Sequence, residues 1–184
     1  MQKYSKWFLL VMLIALLSSA NAEDRFVDSD DYKEPGFKKC FINDYSRLVE
    51  GDDVDWVWVA NGVKLSQHKV ALTSVIGKTK EAKRSDKKAL EVALKDEIQD
   101  MDAHGGSTLK MSACIFDVDD ANFGKRFIPF AGGHLAQAGL GVEIILKDGG
   151  RTVAMLRHYA REGNAKEDVS EEVAEDIIEF IEEN

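Results

Sequence analysis

The chain has 184 residues, of which 45% are hydrophobic and 31% charged, with only 2 Pro and 2 Cys. That composition excludes a collagenous, disulfide-dense or wholly disordered chain and suits one globular domain rather than two. A formal net charge of -9 argues against general nucleic-acid binding.

Lys3 and Lys6 precede an unbroken apolar run over residues 7–17, and Ser18-Ser19-Ala20-Asn21-Ala22 ends in the small-x-small pattern that signal peptidase needs. An apolar run of about 11 residues is well short of the roughly 20 needed to cross a bilayer as a helix. The pattern predicts a signal peptide over 1–22, cleaved after Ala22, delivery to the periplasm and no transmembrane span in the mature chain. Residues 23–36 are acidic, poor in aliphatic side chains and closed by Pro35-Gly36, which predicts a flexible leader before a single domain over 37–184.

Residues 54–60 and 68–76 are rich in β-branched and aromatic side chains and flank the turn dipeptide Asn61-Gly62, which predicts two extended segments. Ser85 can then cap a helix whose Leu90, Leu94, Ile98 and Met101 form one apolar stripe, ended by Gly105-Gly106. Residues 108–118 alternate as a strand, with Leu109, Met111, Ala113 and Ile115 on one face and Cys114, Phe116 and Val118 on the other. Residues 139–147 and 151–160 read as a hairpin about Asp148-Gly149-Gly150. Over 167–183 a last helix separates Val169, Val173, Ala174, Ile177, Ile178, Phe180 and Ile181 from a face of seven acids, so it must dock on something. The expected fold is α+β, a mainly antiparallel sheet with two helices packed on one face.

Near the domain's start Phe41-Ile42-Asn43-Asp44-Tyr45-Ser46-Arg47-Leu48, together with the glycine-led strand from Gly139 to Asp148 and its return through Gly150-Arg151-Thr152, resembles a family of Gram-negative envelope proteins of unknown function. That family, often lipoproteins, opens with F-L-x-D-Y-S-x-L. The resemblance implies a bacterial envelope home; this chain lacks the lipidated Cys with which many relatives begin. It implies no catalytic residues.

Two cysteines in an exported chain admit one disulfide, Cys40 to Cys114, or two buried thiols. Trp56 and Trp58 share one side of their strand, as Cys114 and Phe116 share one side of theirs. On the face away from the helices these side chains are too apolar to stay wet. Bridged Cys40 would draw Phe37 and Phe41 across them as a lid; unbridged, the face would be open to a partner.

No G-x-S-x-G elbow, phosphate cradle or calcium loop is complete. Gly139 and Gly141 suggest close strand packing, and the acids Asp117, Asp119 and Asp120 with Asn122 suggest an acidic loop. His68, His104, His134 and His158 have no ligand spacing, so neither metal nor other cofactor is expected. Lys78, Lys80, Lys83, Arg84, Lys87 and Lys88 crowd the start of a helix, where the macrodipole disfavours them. An anionic envelope component, an envelope protein or the chain's own acidic last helix could answer them, against the plainer reading of a solvated loop. The function expected is therefore a non-catalytic binding or assembly module of the cell envelope. The rival is a small periplasmic hydrolase with a dispersed active site.

Overall fold

In the computed structural model the described residues are 31–33, 36–101, 105–119, 138–162 and 166–184. The expected signal peptide over 1–22, most of the acidic leader, His104, His134, Asp120 and Asn122 lie outside them. Of the leader, Asp31–Lys33 forms a 3-10 turn and Tyr32 stacks on Tyr45, so it contributes at least one ring to the packed protein.

Six strands and two helices follow: β1 (Val49–Glu50), β2 (Trp56–Val59), β3 (Lys69–Gly77), α1 (Arg84–Asp100), β4 (Thr108–Asp119), β5 (Ala138–Asp148), β6 (Arg151–Glu162) and α2 (Lys166–Glu183). They form one sheet in the order β1-β2-β6-β5-β4-β3, antiparallel except that β3 and β4 are parallel, with α1 making the crossover between them. The fold is α+β, and both helices pack on one face of the sheet.

The tight hairpin is where the sequence placed it. Gly149 and Gly150 both adopt positive φ, 56° and 110°, which glycine tolerates without a steric penalty. β5 then lays Leu140, Val142, Ile144 and Leu146 into the core beside Ala154, Leu156 and Ala160 of β6. Above them lie Leu90 and Leu94 of α1 and the apolar face of α2, with Val173, Ile177 and Ile181 wholly buried. The short turn Leu65–Gln67 closes one end, where the Leu65 N–H donates to the carbonyl of Asn184 at 2.9 Å.

Asn61-Gly62 turns the chain between the two expected extended segments, β2 and β3, which lie on opposite flanks of the sheet. Two local expectations are corrected by tertiary context. The N-cap of α1 is Lys83, two residues before Ser85, because the Asp86 carboxylate reaches back to accept the Lys83 N–H at 2.8 Å. Val118 packs with the helix-side core instead of with Cys114 and Phe116, because a bulge between Ile115 and Asp117 adds a residue and inverts the alternation.

The acidic face of α2 is crowded: Asp53 and Glu183 hold the exposed Glu179 carboxyl above its usual range. Ile177→Ala should lower unfolding stability by about 2 to 5 kcal/mol, the cost of emptying a filled core site. Glu179→Gln should raise the melting temperature slightly by relieving repulsion. Thermal denaturation of both variants checks this; equal, negligible effects would mean that α2 is not docked.

Candidate functional site

The sheet face away from the helices is covered by the chain's own N-terminal segment, residues 37–48. Cys40 is bridged to Cys114 on β4, with Cα atoms 6.0 Å apart. Ile42, Tyr45 and Leu48 pack with Met155 against Trp56 and Trp58, while Phe41 and the disulfide pack against Phe116 and Tyr159. Trp56, Trp58 and Phe116 therefore lie beneath a lid, and the guanidinium of Arg47 lies 3.7 Å over the Trp58 ring.

Glu143 stands at the centre of this face, on β5, with no exposed surface. Its Oε2 accepts the consecutive backbone N–H groups of Cys40, Phe41 and Ile42 at 3.2, 2.7 and 3.0 Å. Its Oε1 accepts the Tyr45 hydroxyl at 2.7 Å and Nη1 of Arg157, the residue opposite it on β6. Arg157 also donates to the Lys38 carbonyl at 3.1 Å, and its guanidinium lies 3.5 Å over the Phe116 ring and 4.5 Å from that of Phe37. Burial, joined by the bond to Glu143, pushes the Tyr45 hydroxyl well above its usual range.

The two glycines that open β5 make room for these rings. A Cβ on Gly141 would stand 2.5 Å from the Phe116 ring, and one on Gly139 would stand 2.3 Å from the Tyr159 hydroxyl. They are packing glycines, not a phosphate cradle.

A second polar group lies across the sheet, where His158 of β6 meets α2 and the loop before β2. Its Nε2 is 2.8 Å from Asp176 and its Nδ1 is 3.5 Å from Asp55, whose carboxylate also accepts the Tyr159 N–H at 2.7 Å. Asp52, Asp53, Glu172 and Arg161 complete a small cleft of about 190 Å³. Burial alone would lower the His158 pKa, but the bond to Asp176 and the charge of Asp55 outweigh it and raise it to about 9. A ring held as a cation between two carboxylates is a structural clasp and a poor general base at neutral pH. Among the described residues no group of three or more His, Cys, Asp or Glu is placed to hold a metal ion. The candidate calcium-loop acids Asp117 and Asp119 face Lys38 and Arg161 instead.

The basic run is brought to a corner. Lys78 reaches over to donate to the carbonyl of Cys40 at 3.2 Å, which ties the end of β3 to the lid. Lys80, Lys83, Arg84 and Lys88 are exposed, while Lys87 lays its stem near Gly77. Lys88 shares a shallow groove with Glu171 of α2. The run is thus partly structural at Lys78 and solvent-facing beyond it.

Sequence reasoning missed Glu143 and Arg157. Their signal was an acid inside the apolar run of β5 and an arginine midway along the strand that the hairpin folds back beside it.

Glu143→Gln should be destabilising by roughly 3 to 5 kcal/mol in chemical denaturation, because Arg157 would stay buried without its counter-charge. The His158 clasp predicts a pH dependence. Its pKa is raised from 6.5 to about 9, so its contribution is complete below pH 6.5 and is lost as pH rises through 9. Unfolding free energy should fall across that window by on the order of 3 kcal/mol, and His158→Gln should remove the fall.

No family model matches the chain, and no curated protein matches it. Among solved structures it is similar to PelC dodecamers from Paraburkholderia phytofirmans in two crystal forms, one of a point variant. The TM-scores are 0.42 and 0.38 at 14% and 12% identity, covering 66% of this chain and 94% and 96% of theirs.

Proposed function

We propose that this chain is a periplasmic, non-catalytic module of the Gram-negative envelope, a relative of the F-L-x-D-Y-S-x-L family, that binds an anionic envelope component. The observation that carries this is the basic corner. Lys80, Arg84 and Lys88 are exposed on the loop and at the helix start, where the macrodipole disfavours positive charge. The fold anchors the loop through Lys78 and the bridged lid, so the charges are presented from a fixed base.

Supporting the non-catalytic part is the use made of the reactive groups. Glu143 accepts five donors, both ring nitrogens of His158 face carboxylates, and both cysteines are in the disulfide. The disulfide also supports an oxidising compartment, and no helix among the described residues is long and apolar enough to cross a membrane.

The test uses lipopolysaccharide aggregates, whose surface carries phosphates on a glycolipid, with neutral phosphatidylcholine vesicles as control. The mature chain should co-sediment with the former and not the latter, less so as salt rises. Replacing Lys80, Arg84 and Lys88 together by Glu should weaken co-sedimentation at least tenfold without moving the melting temperature. Undiminished binding by that variant would remove the corner from the function.

A further inference from the structure

Among the described residues the sheet ends in two unpaired edges, β1 and β3, and they differ in a complementary way. β3 is nine residues long, and between Lys69 and Lys78 it has neither charge nor proline. Natural edge strands are blunted by such residues, by bulges or by brevity. Here the one irregularity lies between Leu72 and Ser74, where the Thr73 hydroxyl donates to the Met111 carbonyl at 2.6 Å, leaving Ser74 to Gly77 as a regular, uncharged edge. β1 is short and runs into Glu50-Gly51-Asp52-Asp53.

Val49 and Ile76 are two of the three exposed large hydrophobic residues among those described, at 60% and 37%, and each stands on an edge. The charges that first follow them along the chain are of opposite sign on the two edges. Acids follow Val49, and Lys78 and Lys80 follow Ile76. Two β3 edges joined by a two-fold axis would bring Lys69 of one copy towards Lys78 of the other, a like-charge contact. The strand directions favour another pairing: four antiparallel steps lead from β1 to β4, and β3 is parallel to β4, so β1 and β3 point the same way.

We propose that copies of this chain associate head to tail, with the β1 edge of one copy running parallel to the Ser74 to Gly77 edge of the next. The sheet then continues from copy to copy, Val49 and Ile76 are covered, and Asp52 and Asp53 come beside Lys78 and Lys80. An interface of this heterologous type leaves one edge of each kind free at the ends of any open assembly.

The experiment is sedimentation of the mature chain over a wide concentration range at low and high salt, with Val49→Lys and Ile76→Glu. Each substitution places like charges across the contact at an exposed site, so melting temperatures should stay at the wild-type value. The wild-type chain should self-associate, more weakly at high salt. Each variant alone should be monomeric where the wild type is not, with affinity down at least tenfold. An equimolar mixture of the two should associate again, since each supplies the edge that the other lacks. A monomeric wild type, a variant that associates normally, or a mixture that stays monomeric would overturn the proposal.

Discussion

A carboxylate buried without water is costly, and Glu143 is tolerated because five donors converge on it from two parts of the chain. Three of them are successive backbone N–H groups, which form a small anion-binding concavity of the kind usually met around phosphates. The dependence is mutual. Without residues 40–42 the carboxylate would keep only Tyr45 and Arg157, and without the carboxylate the segment's buried amides would lose their acceptor. The disulfide beside them limits how far the segment can leave, closing a loop whose entropy is worth about 4 kcal/mol in the chain-entropy account. Phe116 and Phe37, against the Arg157 guanidinium, exclude water from the ion pair and so strengthen it.

The two sheet faces are held by different physics. On the helix side the core is a continuous aliphatic layer, and α2 docks because its apolar half has nowhere else to go. On the lid side two smaller clusters surround one charged knot, and that arrangement is specific in register: moving Glu143 by one residue along β5 would send it into the aliphatic core. His158 is the exception on the helix side. It is accommodated because Asp55 and Asp176 reach it from two further elements, joining the β2 approach, β6 and α2.

With its polar interior groups committed to structure, the chemistry left to the surface is that of charge and edge. Basic residues gather where β3 leads into α1, acidic ones where β1 leads into β2 and along α2. The bridged lid covers the aromatic face of the sheet.

The sequence alone determined what depends on local pattern. The hairpin at Gly149-Gly150, the stripe of Leu90 and Leu94, the two-faced last helix and the layered α+β class all follow from periodicities of two and 3.6 residues and from glycine's freedom at positive φ. Paired small-side-chain positions in β5 also announced close packing. What it left open was every relation between distant segments: whether Cys40 and Cys114 meet, that β2 and β3 flank opposite sides of the sheet, that a bulge returns Val118 to the core, and that Glu143 is completed by the amides of residues 40–42. The disulfide joins positions 74 apart and the Glu143 bonds reach amides 101 to 103 positions away; no propensity encodes such contacts, because each is set by which faces the packed layers leave to be covered.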